Sequence, residues 1–259
     1  MKSSPVSWEC DTAMVEPIGP KLAEGRDTEI YAHGPGRVLR LPRDGRSLVQ
    51  EANIMRFVAD RGYPAPAVYD AGDGYLVMDR VPGQTMLASS LSHPERIAAY
   101  GRLLAQLHSQ LHQIPAPDWI ATVAGADGDR LLHRDLHPLN VILSDIGPVV
   151  IDWTNAARGD PAYDVADTWI LFATADPPLD DTQIQSLAAG RTEFLRFFLG
   201  ALDADAARAL IPLAVEHRLE DRNMTEGERT RMRRLAQWAS NDEADLASFY
   251  KRMSVIAGT

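Results

Sequence analysis

From Ile18 the apolar and polar positions follow the pattern of short strands, and beyond residue 83 they follow that of helices. Residues 1–17 are mixed and read as a loose or edge segment. Residues 21–24, 29–32 and 37–41 read as three short antiparallel strands, the last alternating as if half-buried. His33-Gly34-Pro35-Gly36 is a turn by composition. A helix is expected over 47–60, with Leu48, Ala52, Met55 and Val58 along one side, and the run from Gly62 to Pro66 breaks it. Residues 67–69 and 75–78 read as two more strands, and the strand pattern stops at Asp79-Arg80-Val81-Pro82-Gly83. Ser92 with Glu95 reads as a capping box for the next helix, whose apolar stripe is Ile97, Tyr100, Leu103, Leu104, Leu107 and Leu111. Later helices are expected at roughly 163–175, 183–199, 205–221 and 226–254. Gly200 would cap the second of these, Pro212 should kink or interrupt the third, and Thr225 with Glu228 would box the fourth.

The chemistry concentrates in residues 131–152. His133-Arg134-Asp135-Leu136 followed by Asn140 fits the catalytic-loop pattern H-R-D-L-x-x-x-N at every fixed position. A phosphoryl acceptor needs a carboxylate beside its hydroxyl, and Asp135 is placed for that role. Asn140 can turn back and offer its amide oxygen to Mg²⁺. The apolar run Val141-Ile142-Leu143, a turn from Asp145 to Pro148 and a second run Val149-Val150-Ile151 then return Asp152 to Asn140 as the harder Mg²⁺ ligand. His108 and His112 share a helix face, but no carboxylate or cysteine completes a metal set, so they read as core or surface histidines. Arg229, Arg231, Arg233 and Arg234 read as a solvated face.

The chain has 259 residues, 45% hydrophobic and 24% charged, as expected for one large domain or two lobes of a water-soluble protein. Its formal net charge of −10 argues against nucleic acid or an anionic membrane as partner. One cysteine, Cys10, excludes an intrachain disulfide. There is no basic segment followed by an apolar one at the N-terminus and no apolar run long enough to span a bilayer, so a cytoplasmic location is expected.

The chain resembles the aminoglycoside phosphotransferase family within the kinase-like fold. The resemblance is carried by Val38-Leu39-Arg40-Leu41, Glu51, the run Leu76 to Gly83, the loop His133 to Asn140, and Ile151-Asp152-Trp153 with the stretch Gly159 to Asp164. It implies an α+β, bilobal protein-kinase-like fold: a small N-lobe (1–79) of antiparallel sheet plus one helix, a hinge (80–83), and a larger, mainly helical C-lobe (84–259). It implies transfer of the γ-phosphate of ATP or GTP, with Mg²⁺, to a small-molecule hydroxyl. Arg40 stands where a kinase places its phosphate-holding lysine, and an ion pair with Glu51 would aim it; the alternative is a surface arginine on an edge strand. Gly25 lies in a loop that would cover the phosphates. Met78 would back the adenine pocket, and the backbone at Asp79 and Val81 would hold the base. Asp160 and Asp164 would be structural. Trp153-Thr154 after Asp152, and the short run to Asp164, leave no room for an activation loop or a peptide platform, so the acceptor should be small.

Three functions fit: an antibiotic kinase, a metabolic kinase for a small alcohol such as choline or homoserine, and a nucleotide-binding regulatory protein. Between Ile151 and Asp181 seven acidic residues face Arg158 alone. Of these, Asp176, Asp180 and Asp181 sit in a Pro-rich loop, and Glu216, Glu220 and Asp221 join them in part, diluted by Arg218 and Arg222. That excess favours a cationic acceptor, such as an aminoglycoside. The sequence leaves the oligomeric state open.

Overall fold

Strand pairing and helix packing divide the chain into two units, in a computed structural model that describes residues 18–25, 27–175, 181–221, 224–241, 243 and 245–256. The first unit is the chain up to Ala52 together with Ala67–Arg80, and the second is Asn53–Pro66 with Val81–Thr259.

The first unit is a five-stranded antiparallel sheet in the order β1-β2-β3-β5-β4, with β1 Lys21–Glu24, β2 Thr28–Ala32, β3 Arg37–Pro42, β4 Val68–Gly72 and β5 Tyr75–Asp79. Its central strand β3 is buried at Val38, Leu39 and Arg40 in succession, so both of its faces are covered rather than one. That is the consequence of a middle position in the sheet combined with a helix start, Leu48 and Ala52, packed among the buried residues. Helix α1, Val49–Ala59, runs across the boundary between the units. Its later residues go with the second unit: the Phe57 ring stands edge-on to Trp119 at 6.2 Å, Tyr63 Oη donates to Leu107 O at 3.2 Å, and Val150 N–H donates to Pro64 O at 2.8 Å.

The second unit is mainly helical. Its strands are β6 Gln84–Thr85, β7 Arg130–Leu132, β8 Val141–Ser144, β9 Gly147–Val150 and β10 Ala157–Gly159, paired as a three-stranded sheet β6-β8-β9 and a two-stranded one β10-β7. Its helices are α2 Met86–Ser92, α3 Ile97–Leu111, α4 Pro161–Thr174, α5 Asp181–Leu199, α6 Ala204–Arg218, α7 Glu226–Ala239 and α8 Leu246–Ile256. Helix α4 is apolar on nearly every side and is buried from Tyr163 through Ile170, as a helix must be when α6, α7 and β7 all pack on it. Trp169 of α4, Trp238 of α7 and Phe249 of α8 form one aromatic cluster with centroid separations of 5.0–5.7 Å.

Three expectations from the sequence are corrected, and α6 runs on through Pro212. Ser92 does not open a helix: it ends α2, and its hydroxyl donates back to Ala88 O at 3.0 Å. The true cap there is Thr85, whose hydroxyl accepts from Ala88 N at 3.1 Å, and α3 starts only after a 3₁₀ turn at Pro94–Arg96. The last helix is two, because α7 stops at Ala239 and Asp245 caps a new one by accepting from Ser248 N at 2.6 Å. The basic run on α7 is not all solvated. Arg229 donates to Leu219 O and Asp221 O, and Arg231 donates to Thr174 O at 2.8 Å, so guanidinium groups sit on the carbonyl ends of α6 and α4 where the helix dipole is negative. The Thr225–Glu228 capping box is present as expected.

Candidate active site

The loop from His133 to Asn140 leaves β7 and enters β8. Two buried features fasten its first half. His133 is fully buried, its ring 4.6 Å from that of Trp153, and its Nε2 donates to Ile151 O at 3.1 Å. Asp164, in the first turn of α4, accepts from Arg134 N–H at 2.6 Å, His133 N–H at 3.2 Å and His112 Nε2 at 3.0 Å. Those bonds hold Arg134 at φ 64°, the left-handed region that a side chain enters only under constraint. Asp160 accepts from Ala162 N at 2.8 Å and so caps α4, aligning Asp164 with the loop.

Asp135 follows, half-buried, with 22% of its side chain exposed. Asn140 Nδ2 donates to Asp135 O at 2.9 Å and Oδ2 at 3.2 Å, which turns the Asn140 amide oxygen away from Asp135. His137 Nε2 and Arg218 Nη2 stand 3.6 Å and 3.7 Å from Asp135 Oδ1. Burial opposes ionisation of Asp135, but His137 and Arg218 outweigh it and hold the carboxyl below the usual carboxylate range. The ladder Val141↔Val150, extended by Ile151 N–H on Asn140 O at 3.0 Å, returns the chain so that Asp152 comes back beside Asn140. Asp152 has φ 65°, and Thr154 Oγ1 donates to its Oδ1 at 3.0 Å. An amide oxygen and a carboxylate are hard donors, the set that suits Mg²⁺.

Behind the loop the structure joins residues that the sequence left separate. His108 and His112 lack no carboxylate: Asp164 Oδ2 lies 3.6 Å from His108 Nδ1 and 3.0 Å from His112 Nε2. Asp164 is itself fully buried, yet these imidazoles lower its carboxyl. Burial pushes His108 down to about 3, so it is neutral across the physiological range. Arg218, from the end of α6, donates to Asp167 Oδ1 at 2.6 Å and to Arg134 O at 2.9 Å. Beside it Tyr163 Oη meets His217 Nδ1 at 2.7 Å, and burial pushes this phenol up to about 12. His137 was findable, two residues after Asp135 in the same loop. Arg218 was not, being 84 residues from the carbonyl it bonds.

In the first unit Arg40 is buried, 5% exposed, and pairs with Glu51, itself 4% exposed, so it is no edge-strand surface arginine. Asp79 N–H donates to Ala67 O at 2.9 Å, and its carboxylate accepts from Tyr69 Oη at 2.7 Å. Met78 lies in β5 opposite Val38 and Val68. Gly25 N–H donates to Thr28 O at 2.8 Å, closing the β1–β2 connection, and Val81 begins the second unit.

The profile of the phosphotransferase enzyme family matches residues 20–126 and 119–198. The chain belongs to the phosphotransferase enzyme family. No curated protein matches it. Among solved structures it is similar to an ADP-bound aminoglycoside phosphotransferase, APH(2'')-Ib, at 14% identity and TM-score 0.51 over 95% of this chain and 93% of that one. It is also similar to the amicoumacin kinase hAmiN in complex with AMP-PNP, Ca²⁺ and its ligand Ami, at 14% identity and TM-score 0.53 over 89% and 91%. A choline/ethanolamine kinase family protein from Mesorhizobium loti matches at 15% identity and TM-score 0.51 over 92% and 93%. The fold of this phosphotransferase is thus α+β and kinase-like, and no helix among the described residues is long and apolar enough to cross a membrane.

Proposed function

We propose that this phosphotransferase moves the γ-phosphate of ATP to a hydroxyl group of a small cationic molecule, an aminoglycoside or a related antibiotic. The observation that carries the reading is Asp135, held by Asn140 on one carboxylate oxygen and flanked by His137 and Arg218 on the other. Asp135 takes the acceptor's proton, the acceptor oxygen bonds to the γ-phosphorus, the bridging bond to the β-phosphate breaks, and ADP departs. Asn140 and Asp152 would hold Mg²⁺, which supplies charge neutralisation of the phosphate oxygens when bound. Arg40, kept extended by Glu51, grips phosphate, with Gly25 in the covering loop, and Met78, Asp79 and Val81 receive the purine of ATP or GTP. The buried Arg40–Glu51 pair, together with a sequence that retains Asp135, Asn140 and Asp152, favours turnover over a purely regulatory role.

The domain assignment that goes with this reading is a nucleotide-holding N-lobe (1–79), a short hinge (80–83) and an acceptor-binding C-lobe (84–259). The cationic acceptor is supported by the acidic overall charge, by exposed Glu216 and Glu220, and by the aminoglycosides and amicoumacin in the names of similar structures. Asp176 and Asp180, part of the sequence argument, lie outside the described residues, as does Arg222, and Asp181 enters only as the first residue of α5. One observation favours the second reading, a small-alcohol kinase: Asp160, Asp164 and Asp167 of the same acidic stretch are all engaged inside the protein and are not available to a polycation.

The deciding experiment follows ADP release from Mg·ATP with gentamicin, amicoumacin, choline and homoserine, each with the wild type and Asp135→Asn. A cationic antibiotic as best acceptor, with turnover falling about 10²–10⁴-fold in the variant, is expected. Preference for choline or homoserine would overturn the antibiotic acceptor class, and near-normal turnover in the variant would overturn the base.

A further inference from the structure

Asp135 receives a guanidinium from outside the segment that defines the family. The family profile ends at residue 198, and α6 and α7 lie beyond it. Arg218 closes α6 with a side chain only 14% exposed, and it has three anchors in the body of the protein. Its Nε donates to Asp167 Oδ1 at 2.6 Å, its Nη2 donates to Arg134 O at 2.9 Å, and the same Nη2 faces Asp135 Oδ1 at 3.7 Å. Asp167 is 1% exposed, so the pair is fixed from below by a residue that cannot move into water. Arg134 shares that partner, its Nε 3.6 Å from Asp167 Oδ2.

A carboxylate has one soft torsion to its ring of hydrogen bonds. Asn140 Nδ2 on Oδ2 and His137 Nε2, 3.6 Å from Oδ1, both belong to the same loop as Asp135, so they can move with it. A planar, anchored guanidinium beside Oδ1 removes the freedom and leaves a lone pair of fixed direction for the incoming hydroxyl.

We propose that Arg218 is a positioning residue for Asp135, through which the chain's own C-terminal helices set the geometry of the family's reaction. This rests on the reading of Asp135 as the base. It also separates the two halves of the site. Loss of Arg218 disturbs the alignment of the base but touches neither Asn140 and Asp152 nor the nucleotide-holding residues.

Removing Arg218 alone leaves the buried Asp167 with only Arg134 Nε, 3.6 Å away, in place of its close guanidinium partner, which threatens folding. The informative variant is therefore Arg218→Met with Asp167→Leu, in which both charges give way to apolar side chains of similar volume, a replacement that buried ion pairs tolerate. Arg218→Lys is made beside it, since it keeps the charge but not the fork. Three quantities are read: kcat for ADP release, KM for the acceptor, and the dissociation constant of Mg·ATP. Gentamicin, choline and water alone serve as acceptors, so that slow hydrolysis is measured even where neither alcohol is used. The double variant should lose about 30–100-fold in kcat and the lysine variant about 10-fold, as expected for a displacement of the order of an ångström. KM and Mg·ATP affinity should stay within about twofold. A folded double variant with wild-type kcat overturns the proposal, and so does a loss that appears only in KM or in nucleotide affinity. Asp135→Asn, assayed in parallel, keeps the two claims apart. If it is inactive while the double variant is normal, only the role of Arg218 fails; if it is active, the base assignment fails instead.

Discussion

Replacing Asp164 with alanine should cost this phosphotransferase a large part of its stability, and the amount follows from the bonds that the carboxylate accepts. Asp164 has no exposure and receives Arg134 N–H at 2.6 Å, His133 N–H at 3.2 Å and His112 Nε2 at 3.0 Å. Alanine leaves two backbone donors and one imidazole nitrogen without a partner in a space closed to water. An unsatisfied buried donor costs about 1–3 kcal/mol. The two N–H groups alone then amount to roughly 2–6 kcal/mol, reduced by relief of the carboxylate's own burial. A net loss of about 3–4 kcal/mol is expected, against a total stability of the order of 5–15 kcal/mol. Asp164→Asn keeps an oxygen for Arg134 N–H and loses the second oxygen, so about 1–2 kcal/mol is expected there. Urea unfolding followed by tryptophan fluorescence measures both, because the Trp153 ring packs, tilted, against the His133 ring that Asp164 helps to hold. The midpoint should fall at unchanged m-value. The left-handed backbone at Arg134 would relax once its N–H is released, so turnover should fall by more than the unfolded fraction explains. A midpoint shift worth less than about 1 kcal/mol in the alanine variant would refute the assignment of Asp164 as the clasp of the loop.

Three further outcomes are expected. Asp152→Ala should abolish the Mg²⁺ dependence of ATP binding and Asn140→Ala should weaken it less, as read by calorimetric titration; unchanged dependence in both would count against these ligands. Arg40→Ala should remove a buried guanidinium from Glu51 and lower the unfolding midpoint, and should weaken ATP binding more than adenosine binding; equal effects on the two ligands would remove Arg40 from the phosphates. His108 is held neutral down to about 3. The unfolded chain takes up a proton below about 6.5 while the folded one does not, so stability falls as pH drops through that window, by about 2 kcal/mol at pH 5 from this group. His108→Gln should flatten the slope, and an unchanged slope between pH 6.5 and 5 would show that the proton goes elsewhere.

Much of the architecture could be read from residue spacing. The strands around Arg40, the hairpin that carries Asn140 back to Asp152, the apolar stripe of α3 and the Thr225–Glu228 box all depend on groups within a few residues of one another. Backbone geometry fixes the distances between such groups, so their order along the chain suffices. The same reliance on local pattern misled at Ser92 and Glu95, where a serine three residues before a glutamate satisfies the capping rule. There Pro94 and the buried run from Met86 to Ser90 instead make Ser92 the end of an earlier helix.

What only the tertiary structure decided are the partnerships between distant side chains. His112 with Asp164, Arg218 with Asp167 and Asp135, and Arg231 with the Thr174 carbonyl at the end of α4 join positions 51 to 83 residues apart. No periodicity encodes them, since each exists because α4, packed on all sides, presents its carboxylates and carbonyl ends to whichever helices cover it. An arginine or histidine in a surface-like pattern turns inward when a buried acceptor lies within its reach, because an unpaired acceptor in the core costs more than a long side chain loses in freedom. The sequence by itself therefore determined the His133–Asn140 motif and the hairpin that follows it, while packing determined which charges surround Asp135 and hold that loop in place.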